Sequence, residues 1–255
     1  MPSRSQPAVP LWELAQLRRL PAHQAMDQPT LTWIAEHRPE QAVRTVAVAD
    51  LLADLPVLLV PKATWFTSQQ AADGIHGVRH NARVCLLAAL LAQHYRLESD
   101  QAAALCLSAA VHDCRRRDDR ADPGHGRRAA AWLSHHHPAV TGAFGLDLSA
   151  ESVAAARTAI SLHDVAYPAF SPAQHRAYRR AEPLTDLLKA ADCLDRYRLA
   201  LPRWWPDTSR LRVSVPGWLH GVAADLMLHS EQAHLDGASH HDALTHARQI
   251  ISRLP

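Results

Sequence analysis

The sequence predicts an all-α protein, and three observations lead to this prediction. Alanine is abundant while only 9 of the 255 residues are glycine, a composition that favours helices over turn-rich sheets. Apolar residues recur at helical spacing, as at Val84, Leu87, Leu90 and Leu91. No segment alternates apolar and polar residues for long enough to indicate a strand. The length suffices for one sizeable core, or a core with a smaller appendage.

Helices are predicted in order along the chain, each ended by proline, glycine or a polar cluster. Before residue 64 they cover 11–20, 30–37 and 41–55, followed by an extended, proline-bounded segment at 56–61. After it they cover 78–95, 99–111, 126–135, 149–162, 172–180, 183–199, 215–236 and 240–253. Ser99 or Asp100 is the expected cap of the helix at 99–111. We therefore predict an N-terminal helical extension over 1–64 and a main helical bundle over 65–255.

Composition narrows the functional classes. The formal net charge is only +2, which gives no electrostatic reason to expect nucleic acid as a partner. Lys62 and Lys189 are the only lysines, so nearly all positive charge is arginine, which prefers planar partners such as phosphate or carboxylate. The four cysteines lack a paired metal spacing. With no signal segment and no apolar stretch long enough to span a bilayer, we expect a soluble cytoplasmic protein without membrane contact.

The stretch 102–117 holds the first candidate site. Its apolar helix ends in His112-Asp113, and an arginine cluster at 115–117 follows. A neutral imidazole beside a carboxylate at the end of a buried helix offers good metal ligands. A histidine stabilised by the helix dipole is the alternative. The dipeptide alone is weak evidence because His-Asp also occurs at 163–164 and 241–242; we expect the latter pair at the surface.

Two other positions support a metal site. His80 lies at the start of the preceding helix, and Asp192 lies in the middle of an otherwise apolar helix face. A buried carboxylate is costly unless it is paired or bound to a metal. Asp192 is therefore either a metal ligand or an ion-pair partner of Lys189 or Arg196.

An ordered set of histidines and aspartates over residues 65–200 resembles the signature of the HD-domain superfamily of metal-dependent phosphohydrolases. The residues concerned are His80 with Arg83-Val84, then His112-Asp113, then Asp192 with Asp195 and Arg198. The resemblance implies an HD-domain-like helical bundle with one divalent metal, ligated by His80, His112, Asp113 and Asp192. The chain departs from the pattern at Cys114-Arg115, where many relatives have Ile-Gly, and lacks the doubled histidine and GYP segment of the cyclic-dinucleotide branch.

The middle of the chain extends the resemblance. Segments 122–126 and 160–163 are similar to those that supply additional histidines, here His125 and His163, in members that bind a second metal or clamp the substrate phosphate. An ordinary loop histidine and an ordinary helix-end histidine are the alternatives. The mixed nitrogen and oxygen ligands suit one or two ions of manganese, iron, nickel, cobalt or zinc.

The function implied by the resemblance is hydrolysis of a phosphate ester of a nucleotide or another small phosphorylated metabolite by a metal-activated water. Asp113 is expected to orient that water or accept its proton. Lys189, His125 and His163 are expected to take charge developing on the phosphoryl oxygens, although Lys189 is equally compatible with an ion-pair role. His76 is either a substrate contact or a solvated residue of the entry loop. The arginines at 115–117 either form a solvated charge cluster or supply one phosphate contact.

Two other classes stay open. Some relatives with extra histidines hold two irons and oxidise their substrate with dioxygen. Alternatively, the chain is a non-catalytic regulatory or binding module, against which the intact ligand set argues. The extension at 1–64 and the aromatic loop at 201–216 could each mediate a homodimer, and that loop could also form a substrate pocket wall.

Overall fold

The computed structural model describes residues 9–43 and 57–253. These residues form helices joined by loops, without a β-strand among them, so the predicted all-α class is confirmed. Within the same residues, no helix has both the length and the apolar character needed to cross a bilayer.

The α-helices follow one another along the whole described chain. Their bounds are α1 Leu11–Gln16, α2 Gln28–Glu36, α3 Gln69–Asp73, α4 Val78–His94, α5 Ser99–Val111, α6 His125–Phe144, α7 Ala150–Leu162, α8 Pro172–Arg180, α9 Glu182–Leu194, α10 Trp218–Leu235 and α11 His240–Arg253. Short 3₁₀ stretches lie at Glu40–Ala42, Ala63–Trp65, Tyr167–Ala169, Asp195–Arg198, Pro202–Trp204 and Thr208–Arg210.

The centre of the fold is formed by α4, α5, α7 and α9, which pack against one another. Helix α4 is buried along most of its length because leucine and alanine dominate its sequence and other helices cover it on several sides. The pair α10 and α11 packs on α4, and α6 packs on α7. Gly77 precedes α4 where a Cβ would lie 2.0 Å from the carbonyl oxygen of Ala72, so only glycine allows α3 to approach α4 this closely.

The described part of the N-terminal extension packs on the bundle. Met26, Leu31 and Ile34 belong to the main hydrophobic cluster, and α2 contacts α10. Helix α1 ends earlier than predicted because the chain turns at Arg18, whose φ is +58°. Most of the helix predicted at 41–55 lies outside the described residues, as does Pro56 of the segment at 56–61. The division of the chain at residue 64 stays a prediction.

Helix α6 is longer than the predicted 126–135, since it continues through Pro138 to Phe144. A proline inside a helix removes one hydrogen bond and crowds the carbonyl four residues earlier. Pro138 is exposed, so water can bind the freed carbonyl, and the helix continues. It ends at Gly145, whose φ of +65° is the left-handed conformation typical of a helix C-terminus.

Two further expectations about helix ends are corrected. Neither Ser99 nor Asp100 caps α5; Glu98 occupies the N-cap without a side-chain bond, and Asp100 instead accepts hydrogen bonds from Ser149 and Ser152 near the start of α7. The helix predicted at 183–199 ends at Leu194 and continues as the 3₁₀ stretch Asp195–Arg198. This tighter turn places Asp195 beneath the start of α4, where it contacts His80.

Candidate metal centre

Histidine and aspartate side chains from five parts of the chain meet at one end of α5. His80 comes from the first turn of α4, and His112-Asp113 directly follows α5. His125 begins α6, His163 directly follows α7, and Asp192 lies in the last turn of α9. All six metal-ligand positions expected from the resemblance are thus brought together, across 112 positions of sequence (80 to 192).

The first cluster consists of His80, His112 and Asp192. The Nε2 atoms of the two histidines lie 3.1 Å apart, and Oδ1 of Asp192 is 3.4 Å from Nε2 of His80 and 3.8 Å from Nε2 of His112. Ligands at about 2.1 Å from one ion lie roughly 3 to 3.5 Å from each other. These three atoms therefore have a spacing that could hold a metal ion.

The second cluster consists of His125, His163 and Asp113. The Nε2 atoms of His125 and His163 are 3.0 Å apart. Oδ1 of Asp113 lies 2.9 Å from Nε2 of His125 and 3.3 Å from Nε2 of His163. The other oxygen of Asp113, Oδ2, is 3.7 Å from Nε2 of His80 in the first cluster. Asp113 thus presents one oxygen to each cluster, and its carboxylate lies between them.

Each of the four histidines has its Nδ1 held by an acceptor. His112, His125 and His163 each donate through Nδ1, at 2.7 Å, to the backbone carbonyl three residues earlier. His80 donates through Nδ1 to Oδ2 of Asp195 at 2.8 Å. In the neutral form of each imidazole the single proton lies on Nδ1, so Nε2 offers a lone pair directed into the clusters. Metal-ligating histidines are fixed in this way.

Asp195 belongs to a buried ion-pair network. Arg83 donates to both of its oxygens, at 2.7 and 3.0 Å, and also to Glu231 at 2.6 Å. Glu231 in turn binds Arg79. Arg83 is therefore a structural ion-pair partner of Asp195. Nη1 of Arg198 lies 3.6 Å from Oδ2 of Asp195, whereas Arg196 binds the carbonyl of Trp204.

The pKa values of the candidate ligands differ from one histidine to the next. Burial and the charge of Arg198 lower the pKa of His80 to about 4, so its ring is neutral at neutral pH. Burial also lowers the pKa of His125, but the adjacent Asp113 carboxylate more than offsets this and raises it to about 9. A cation bound beside Asp113 would take the place of that proton.

The contacts of Asp192 and Lys189 differ in part from those that the sequence suggested. Asp192 is 29% exposed in its side chain because it opens onto a cavity; it contacts His80 and His112, and not Lys189. The ammonium of Lys189 donates to the carbonyls of His163 and Val165 at 2.8 and 2.7 Å, which fixes the backbone at the end of α7. Its role towards a phosphoryl oxygen stays a prediction.

Sequence reasoning missed Asp164. One of its oxygens accepts from the backbone N–H of Gly124 at 2.9 Å, while the other is buried without a partner among the described residues. Asp164 follows His163, so the second His-Asp dipeptide was the available signal. The third, His241-Asp242, is exposed as expected. Gly126 was also missed: a Cβ there would lie 2.4 Å from the carbonyl oxygen of Ile160 and 2.8 Å from Nδ1 of His163.

A cavity of about 460 Å³ opens onto both clusters, and we name it the arginine cavity. Its wall includes Asp113, Asp192 and the guanidinium groups of Arg116, Arg120, Arg196 and Arg198. Arg116 approaches the second cluster most closely, with Nη1 3.5 Å from Oδ2 of Asp113 and 3.4 Å from Nε2 of His125.

The N-terminal extension supplies another part of this wall, Leu20 and Gln24. The backbone of Gln24 is held on both sides, since its N–H donates to Asp119 at 2.7 Å and its carbonyl accepts from Ile75 at 2.8 Å. The extension is therefore part of the candidate site.

His76 lies on the same wall. Nδ1 of His76 lies 3.0 Å from Oδ2 of Asp113 and 2.9 Å from Nη2 of Arg198. Burial and the charges of Arg198 and Arg116 lower the pKa of His76 well below its usual range.

Compared with known proteins, the chain matches no family model, no curated protein and no solved structure. The helical fold and the buried His/Asp clusters are compatible with an HD-like fold.

Proposed function

We propose that this chain is an HD-domain-like phosphohydrolase that uses two divalent transition-metal ions to cleave a phosphate ester of a small molecule. The single observation that carries the proposal is the common orientation of the four imidazoles: each Nδ1 is held by an acceptor, so each Nε2 faces a shared pair of carboxylates. Ordinary core histidines have no reason to converge in this way, because four adjacent lone pairs repel one another unless a cation or proton lies between them.

The two ligand sets differ in composition. His80, His112 and Asp192 would hold one ion, and His125 and His163 would hold the other, with Asp113 between them. Ions held there would lower the pKa of a bound water and polarise a phosphoryl oxygen. Nitrogen-rich ligation favours manganese, iron, nickel, cobalt or zinc over calcium or magnesium.

The protein's own groups would bind and orient the phosphoryl group. Arg116 is placed beside Asp113 at the wall of the cavity, where its guanidinium can donate two parallel hydrogen bonds to phosphoryl oxygens. His76 lies on the same wall, between Arg198 and Asp113. One oxygen of Asp164 is held by Gly124 and the other has no partner in the part of the chain that the structure describes, so it can accept a hydrogen bond close to His125.

The first experiment is elemental analysis of protein purified without added metal, followed by a screen of phosphorylated metabolites for phosphate release. We expect about two equivalents of metal and metal-dependent turnover. His112→Ala and Asp113→Ala should abolish turnover while circular dichroism stays helical. His241→Ala, in the exposed His-Asp pair, is the matched control and should keep full activity. Retained activity in either site variant would refute the assignment.

A di-iron oxygenase is the second candidate, and the observation that favours it is the four-histidine set with a carboxylate between the two clusters. Iron and imidazole are well-matched partners. Bound iron, absorbance changes on adding dioxygen and oxygen consumption without phosphate release would support it. Metal-stimulated phosphate release from anaerobic protein would decide for the hydrolase. A non-catalytic module would require a metal-free protein in which His112→Ala changes neither stability nor ligand binding.

A further inference from the structure

A second cavity, of about 700 Å³, also reaches the candidate metal centre, and we name it the aromatic cavity. Its wall includes Tyr167, Trp205 and Leu211, which line none of the arginine cavity. The two cavities share four residues, His163, Asp164, Asp192 and Arg196. Two of these are candidate metal ligands, so the cavities meet at the place where the reaction would occur.

Each cavity is large enough by itself for an organic group, since small-molecule sites occupy roughly 300 to 1,000 Å³. A phosphate monoester carries one organic substituent and would fill one of them. A phosphodiester carries two. With the phosphorus at the shared wall, one substituent would lie among the arginines and the other against the aromatic side chains.

Arg196 marks the junction of the cavities. It follows the candidate ligand Asp192 by four residues, and its Nε donates to the carbonyl of Trp204 at 2.7 Å. Among the described residues its guanidinium forms no carboxylate ion pair, whereas Arg120 and Arg210 on the same walls pair with Asp118 and Asp207. Its charge is thus available, and a guanidinium held at Nε presents its remaining N–H groups to a phosphate in a fixed plane.

We propose that the substrate is a phosphodiester that spans both cavities, with Arg196 bound to a non-bridging oxygen of the scissile phosphate. Water would form the new P–O bond, the P–O bond to one substituent would break, and one water proton would pass to that leaving oxygen. The products are an alcohol and a phosphate monoester, without oxidation or reduction. This inference rests on the proposed hydrolase function and adds the substrate class.

The test compares bis(4-nitrophenyl) phosphate with 4-nitrophenyl phosphate on the metal-loaded full chain. We expect kcat/KM for the diester to exceed that for the monoester at least about tenfold. Ala166→Trp fills the aromatic cavity at an exposed wall position and should remove most of the diester activity while leaving monoester hydrolysis unchanged. Ala169→Trp is the matched control, exposed in the same 3₁₀ turn but outside the cavity, and should behave as the unaltered chain.

A second pair of variants tests the arginine. Arg196→Gln should raise KM for the diester about tenfold or more, the cost of losing a hydrogen bond to a charged group. Arg179→Gln, which alters an exposed arginine of α8 outside both cavities, should change KM less than about twofold. A preference for the monoester, or equal effects of Ala166→Trp on both substrates, would overturn the inference while leaving the hydrolase intact. No turnover of either compound with any metal would overturn both.

Discussion

Nδ1 of His80 donates to Oδ2 of Asp195 at 2.8 Å, and both side chains are completely buried. Arg83 binds both oxygens of the same carboxylate, so the carboxylate cannot rotate and the imidazole beside it is fixed in orientation and tautomer. Partners of this kind typically contribute about 10- to 100-fold to metal affinity.

Asp195→Asn should therefore weaken metal binding about 10- to 100-fold. The amide keeps one acceptor but turns an NH₂ group towards Arg83 or His80, so the imidazole of His80 is no longer fixed. Metal titration with a competing chelator measures the change. Asp242→Asn, in the exposed His-Asp pair, serves as control, and equal affinities in the two variants would contradict a role for Asp195 in positioning His80.

Gly126→Ala should selectively damage the second cluster. The new Cβ would collide with the carbonyl of Ile160, the acceptor that holds Nδ1 of His163, and would push α6 and its His125 away from α7. We expect one metal equivalent in place of two. Gly142→Ala in the same helix has open space around its Cβ and should keep both ions, with stability raised by up to about 1 kcal/mol. Two full equivalents in Gly126→Ala would disprove this.

Metal stoichiometry should distinguish a ligand that both ions need from a ligand that only one ion needs. Asp113 presents an oxygen to each cluster, so Asp113→Ala is expected to lose both ions. His163→Ala should keep about one equivalent, because His80, His112 and Asp192 are untouched. Elemental analysis after gel filtration measures both. The same residual content in the two variants would mean that Asp113 does not connect the clusters.

Glu231 should make the free energy of unfolding fall at acidic pH. Burial alone raises its pKa, but the charges of Arg79 and Arg83 outweigh this and lower it from the ordinary 4.5 to about 2. Because the pKa of Glu231 is lower in the folded chain than in the unfolded one, the ionised carboxylate contributes fully to the free energy of unfolding above pH 4.5. This contribution is lost as the pH falls towards about 2.

Glu231→Gln should lower the free energy of unfolding at pH 7 by about 3 kcal/mol, because it leaves two buried arginines short of a counter-charge. The difference from the unaltered chain should narrow as the pH falls from 5 to about 3. Urea unfolding at several pH values measures it, with the exposed Glu36→Gln as control. A difference that is constant with pH would exclude an ionised Glu231 as its source.

Much of this fold follows from local sequence. Alanine and leucine at helical spacing predicted most helices, because α4, α5 and α9 need little beyond a continuous apolar face. The prediction of α6 ended before Pro138, but the helix continues through this exposed proline, because water can bind the carbonyl that a proline leaves without a partner.

The candidate site was predictable in its ligands but not in its surroundings. Each histidine lies at or near a helix end, where side chains of several elements can meet, and their order along the chain was informative. The partner of His80 lies 115 residues away. Among residues 9–43 and 57–253, one oxygen of Asp164 has no hydrogen-bond partner and Arg196 has no carboxylate partner, which depends on what the neighbouring loops leave uncovered. Such contacts arise only after the helices have packed.

The loop around Gln24, fixed between Asp119 and Ile75, has a practical consequence for anyone who trims this protein. A fragment that starts at residue 65 would retain every candidate ligand but would lack the part of the arginine cavity's wall that Leu20 and Gln24 form. Metal binding measured on such a fragment would apply to the full chain, whereas the binding of small molecules in the cavity would not.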